Sequence, residues 1–185
     1  LLLRRSGARP GDEIWGSGTL GDSAFGLQLL QGNVEKKDAA ATEYVVGRHL
    51  DPTPRCSFGL ALAEAGLVSA MIDISDGLLA DLGHICEQSG CGAELQLGQV
   101  PCSPQFAALA DATAPAFWQL LVAGGEDYEL CFTAAAEHRA AILERAKTAG
   151  IPATVVGKVT DSGRVVAHLP DGSIFQPSTA GYTHF

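Results

Sequence analysis

Apolar positions along this chain change repeatedly between a strand-like and a helix-like spacing. Arg9–Pro10–Gly11–Asp12 reads as a turn, and a short strand follows through Ile14 and Trp15. Gly16, Gly18 and Gly21 punctuate a loop, after which Asp22 or Ser23 can cap a helix carrying Phe25, Leu27, Leu29 and Leu30. The polar stretch from Gly32 to Asp38 leads to a second helix ending near Leu50, where Pro52 and Pro54 stop it. A third helix is predicted from about Arg55 to Ala65, closed by Gly66.

The middle of the chain has a clearer period. Leu67 to Ile74 reads as a strand. Between Gly77 and Gln88, Leu78, Leu79, Leu82, Ile85 and Cys86 follow the i, i+1, i+4, i+7, i+8 spacing of one helix face. Gly90 and Gly92 close that helix, and Ala93–Leu97 alternates as a strand. Pro101 to Pro104 forms a loop before helical pieces reaching about Val122. Gly124–Gly125 breaks the chain, Tyr128–Thr133 is strand-like, and a helix from about Ala135 to Ala149 ends at Gly150. Ala153–Val159 and Arg164–Leu169 read as strands flanking the turn Asp161–Ser162–Gly163, and Pro177 to Phe185 is an irregular tail. The alternation predicts an α+β fold, a layered mixed sheet with helices packed on it.

Composition narrows the class. The 185 residues are 46% apolar and 18% charged, which suits a folded core and argues against disorder. No stretch approaches the roughly eighteen uninterrupted apolar residues of a membrane span, so no membrane partner is expected. The opening Leu1–Leu2–Leu3–Arg4–Arg5 is too short for a signal peptide, and its charge lies on the wrong side. A formal net charge of −9 repels nucleic acid, and no lysine–arginine run offsets it. Such a protein can still handle a polyphosphate when divalent cations sit between the two anions. Cys56, Cys86, Cys91, Cys102 and Cys131 form no CxxC pair and read as reduced thiols of a cytoplasmic protein. The only methionine is Met71, and the sequence is expected to be part of a longer one.

Four segments could carry chemistry. Ile72–Asp73–Ile74–Ser75–Asp76–Gly77 ends a strand and opens a helix. An acid such as Asp73 within an apolar strand costs free energy unless it is paired or bound to a cation. Asp73 and Asp76 can offer oxygen ligands to one magnesium ion, or Ser75 or Asp76 can simply cap the helix. In Gly124–Gly125–Glu126–Asp127–Tyr128–Glu129–Leu130 the glycines permit close backbone approach, and Glu126 can accept a hydrogen bond from a substrate. The other reading is a glycine-rich turn with solvated carboxylates. Gly16 to Asp22 lacks the lysine and spacing of a phosphate-binding loop and reads as a tight turn and cap. Arg4, Arg5 and Arg9 could clamp a phosphate or stand as a solvated basic loop. No Cys–His or Ser–His arrangement supports a covalent nucleophile, so no catalytic side chain is assigned.

Taken in order, the segments RSGARPGD, GTLGDSAFGLQLL, RHLDPTPR, MIDISDGLLADLGHI, GGEDYELCFT and the ending GYTHF resemble the thiamine-monophosphate kinases. That family falls in the superfamily of aminoimidazole ribonucleotide synthetase, selenophosphate synthetase and a hydrogenase maturation protein. The resemblance covers essentially the whole chain and implies the C-terminal domain of the aminoimidazole ribonucleotide synthetase-like fold. It divides the sequence into 1–20, a linker and the end of a preceding domain, and 21–185, an ATP- and substrate-binding domain.

The resemblance also implies roles. Asp73 and Asp76 correspond to magnesium ligands, Arg5 and Ser75 to ATP contacts, and Glu126 and Tyr182 to contacts of thiamine phosphate. The implied partners are ATP and thiamine phosphate, with Mg2+ as cofactor and a homodimer in the full-length protein. Further metal-binding aspartates of the family lie in the N-terminal domain, so these residues alone are expected to be inactive. Two alternatives stay open: another ATP-dependent enzyme of the superfamily, and a non-catalytic nucleotide-binding or dimerisation module.

Overall fold

The computed structural model describes residues 3–178. Six strands form one sheet: β1 (Glu13–Ser17), β2 (Ala70–Ile74), β3 (Gly92–Gln96), β4 (Glu129–Ala134), β5 (Ala153–Thr160) and β6 (Val165–His168). Their order is β2-β4-β1-β5-β3-β6, antiparallel throughout except for the parallel pair β3–β6. Among the described residues there are seven α-helices: α1 (Asp22–Leu30), α2 (Ala39–Leu50), α3 (Cys56–Glu64), α4 (Leu78–Ser89), α5 (Pro104–Leu109), α6 (Pro115–Ala123) and α7 (Arg139–Ala149). The α+β expectation of a layered mixed sheet holds.

Strand period divides the core in two. Ile14, Ile72, Ile74 and Cys131 point to one face, where they meet Phe25 and Leu29 of α1, Val45 of α2, Leu82 and Ile85 of α4, and Phe106 and Phe117. Trp15, Met71 and Phe132, their neighbours in sequence, point to the other and meet Phe58 and Leu62 of α3 and Ile142 and Ala146 of α7. There Trp15 stacks on Phe132 with ring centroids 5.9 Å apart, and Phe58 meets the same ring edge-on. Burying both faces is what lets a short strand such as β1 be apolar on both sides.

Residues 13–17 form an inner strand between β4 and β5, where the sequence predicts a strand through Ile14 and Trp15. The strands flanking Asp161–Ser162–Gly163 are not neighbours in the sheet, because β3 lies between them. Gly92 makes room for this: a Cβ there would press on the Arg164 backbone nitrogen at 2.8 Å. The caps of α1 and α4 also differ from the sequence reading. Each helix is preceded by a positive-φ glycine, Gly21 (87°) and Gly77 (107°), with no cap from its own N-cap side chain; amides at the start of α1 are served by Asp127 from elsewhere in the chain.

Candidate functional site

The site is built where β2 and β4 end side by side. Ile74 pairs with Glu129 and Asp73 with Leu130 in the antiparallel ladder. Beyond the ladder the pairing continues as single bonds: the Tyr128 N–H donates to the Ile74 carbonyl (2.9 Å) and the Glu126 N–H to the Ser75 carbonyl (2.8 Å). The two acidic motifs, far apart in sequence, are therefore one structural unit. Ser75, Asp76 and Glu126 come together there.

Asp73 is exposed, which overturns the burial argument made for it. Ile72 and Ile74 take the core side of β2, so Asp73 takes the side of Met71, beyond the reach of the second core. Asp76 is half-buried, and neither it nor Ser75 caps α4. Asp81 in the first turn instead pins the entry to the helix, its Oδ2 accepting from the N–H groups of Ser75 and Asp76, each at 3.0 Å. Burial pushes the Asp81 carboxyl up to about 6 against those two bonds, and the nearby charges of Asp76 and Asp73 add to the rise. Three carboxylates thus converge on one turn. One donor atom from each of Asp76, Asp81 and His84 falls within 4.8 Å of the others. Asp81 is committed to backbone amides, and carboxylate oxygens such as these are the donor type that suits magnesium.

The strand acid that burial does force into partnership is Glu129. Its side chain is fully buried, and it receives the Ser17 hydroxyl (2.6 Å), Arg48 Nη2 (3.1 Å) and a two-pronged contact from Arg55, Nε at 2.9 Å and Nη2 at 2.7 Å. The Arg55 guanidinium is held above its ordinary range by that hydrogen bonding. Gly18 opposite (φ 57°) leaves the space the carboxylate occupies. Asp22 stands nearby, bonded by the Thr19 (2.9 Å) and Ser103 hydroxyls, with Arg48 Nε 3.9 Å from its Oδ2, too far for a hydrogen bond. The loop 16–22 is therefore turned inward.

Asp127 is the distant cap of α1. It is 1% exposed and accepts from the N–H groups of Gly21 (3.0 Å) and Ser23 (3.3 Å). Burial outweighs those bonds and pushes its carboxyl up to about 7. Its neighbour Glu126 lines a cavity of about 140 Å3 with Leu27, Gln28, His49, Leu120 and Gly125. His49 Nδ1 lies 3.5 Å from Glu126 Oε2 and 3.0 Å from the Ser23 hydroxyl.

Ser23 and His49, far apart in sequence, therefore meet. They make no relay, because Ser23 and Glu126 share one ring nitrogen and Ser23 is fully buried. Arg5 is exposed on a segment that runs beside β2, where the Met71 N–H donates to the Arg4 carbonyl (3.0 Å). Tyr182 lies outside the described residues. Sequence reasoning missed His49, Arg48, Arg55, Asp81 and Glu129. The first three sit in the RHLDPTPR segment, a readable signal, and Glu129 opens β4, a strand buried along nearly its whole length. Among the described residues no helix is long and apolar enough to cross a membrane.

Comparison with known proteins sets this geometry in context. The thiamine-monophosphate kinase of Escherichia coli (strain K12) is 41% identical over 183 residues, 99% of this chain and 55% of that protein. The crystal structure of thiamine-monophosphate kinase from Stenotrophomonas maltophilia K279a superposes with a TM-score of 0.82 at 40% identity, over 92% of this chain and 53% of that one. AaThiL complexed with AMPPCP and TMP superposes with a TM-score of 0.78 at 32% identity, over 99% and 54%. This chain spans about half the length of the relatives it matches. The family described as AIR synthase related protein, C-terminal domain, matches residues 9–170, from the turn before β1 to the end of the sheet. The chain belongs to that family, and its six-stranded sheet is the family's C-terminal domain.

Proposed function

We propose that the full-length protein is a thiamine-monophosphate kinase, forming ADP and thiamine diphosphate from ATP and thiamine phosphate. The reading is carried by the bond between Glu126 and Ser75, which joins an acidic turn suited to a phosphate–metal complex to a cavity suited to an organic ring. Asp73 and Asp76 would hold magnesium, with Ser75 and Arg5 toward ATP and Glu126 toward thiamine phosphate. Magnesium would neutralise charge between two reactants that otherwise repel each other. The acceptor is an anionic phosphate oxygen, so a direct in-line transfer needs no general base. This accords with a site whose fully buried acids, Asp22, Asp127 and Glu129, are all committed to hydrogen bonds.

The same reading has the domain as one half of a cytoplasmic homodimer's protomer, with residues 21–185 and strand β1 in the ATP- and substrate-binding unit. The test is ADP release that depends on both ATP and thiamine phosphate. The full-length protein is expected to show it, and the 185 residues alone to show almost none. ADP release by the full-length protein that ignores thiamine phosphate would overturn the assignment.

A further inference from the structure

Glu126 and Tyr128 both have left-handed backbones, with φ of 66° and 52°. That conformation is strained for residues with side chains and persists only where the surroundings over-determine it. Here they do. Asp127, between the two, is anchored to the first amides of α1, while the N–H groups of Glu126 and Tyr128 are bonded to the end of β2. The strain holds Glu126 at the wall of its cavity, whose volume of about 140 Å3 is well below the ~300 Å3 at which whole-ligand pockets begin. The cavity admits one ring, not a nucleotide.

His49 is the other polar wall of that cavity, and its place is set by helix packing. A Cβ at Gly26 would collide with the Val45 carbonyl, so α1 and α2 approach backbone to backbone. One turn beyond Val45, the His49 ring then sits with Nδ1 3.0 Å from the Ser23 hydroxyl and 3.5 Å from the Glu126 carboxylate, in reach of both. We propose that His49 is a positioning and specificity-determining residue, which orients the Glu126 carboxylate to read the amino group of a heteroaromatic ring on the acceptor substrate. The inference rests on the thiamine phosphate reading above. A carboxylate accepts from an exocyclic amino group but repels a ring carbonyl, so the oriented pair discriminates between the two.

The experiment uses the full-length protein, with thiamine phosphate and its 4-oxo analogue as acceptors. His49→Ala raises the KM for thiamine phosphate about tenfold, as loss of one charged hydrogen-bond partner does, and leaves the KM for ATP unchanged. It also narrows the preference for thiamine phosphate over the 4-oxo analogue. His49→Asn, whose side-chain nitrogen can stand near the Nδ1 position, restores most of both, and His49→Gln restores less. Unchanged discrimination in His49→Ala overturns the proposal, and so does equal discrimination by the Asn and Gln variants. That second comparison stands even if the alanine variant does not fold. Failure of the wild-type protein to use thiamine phosphate is a separate outcome, seen before any variant is made, and sinks the functional reading itself.

Discussion

The backbone N–H of Glu126 donates to the carbonyl of Ser75 across 2.8 Å, and through that bond two acidic segments act as one site. Gly77 keeps the junction close, because a Cβ there would lie 2.9 Å from the Gly124 carbonyl oxygen and 3.0 Å from the Ala123 carbonyl carbon. Its backbone, φ 107° and ψ 150°, is one that only glycine adopts readily. Gly77→Ala is expected to cost ~1–3 kcal/mol of stability through strain alone. Urea unfolding measures it, and a variant as stable as the wild type would show that the junction can yield.

Glu129 is a buried charge held by two guanidiniums and a hydroxyl. Removing it leaves Arg55 without its counter-ion and Arg48 with only Asp22 at 3.9 Å, at 19% and 13% side-chain exposure. Glu129→Gln is expected to lose about 3–5 kcal/mol, the usual consequence of breaking a buried ion pair from one side. The midpoint of chemical denaturation reports it. A shift under a tenth of that range would mean the arginines find solvent or another acid.

Asp127 gives a pH signature. Its carboxyl is raised by burial from an ordinary 3.8 to about 7 in the folded protein. Between those values the folded state holds a proton that the unfolded state has released, so this residue's contribution is full below about pH 4 and lost as pH rises through about 7. Asp127→Asn resembles the protonated acid and cannot ionise. The stability of wild type minus that of the asparagine variant should fall across this window and level off above it. Thermal melts at stepped pH give the difference, and a flat profile would place the carboxylate permanently in its ionised form.

Asp73 and Asp76 should separate cleanly from Asp81. In the proposed reading the first two hold magnesium, so Asp73→Asn and Asp76→Asn are expected to cut turnover of the full-length protein by orders of magnitude with little change in melting temperature. Asp81 bonds the amides of Ser75 and Asp76. Asp81→Ala should therefore lose ~1–3 kcal/mol of stability, as backbone amides left without their acceptor do. Steady-state ADP release at stepped magnesium, set beside the melting curves, distinguishes the two classes. Unchanged kinetics at limiting magnesium in both asparagine variants would remove the metal role.

Local chemistry alone determined the elements of this protein. The leucine period of α4, the proline stops after α2, the glycines ending α4 and α7 and the alternation in β3 all mark structures that the chain adopts where expected. The motifs carrying Ser75, Asp76 and Glu126 were likewise legible, because acids and glycines beside apolar strands are conspicuous. What only tertiary structure decided was which side of the sheet each acid would face and who would satisfy it. Asp73 and Glu129 look alike in sequence, an acid next to apolar strand residues. One is exposed and the other fully buried, because β2 lies at the sheet's margin whereas Glu129 turns in toward Ser17 and two arginines. The caps follow the same rule. Helix α1 is capped by Asp127 from another element, through bonds that exist only after β4 has packed beside β1 and β2. Hydrogen bonds between groups distant along the chain leave no periodic trace in it, and this site is made of such bonds.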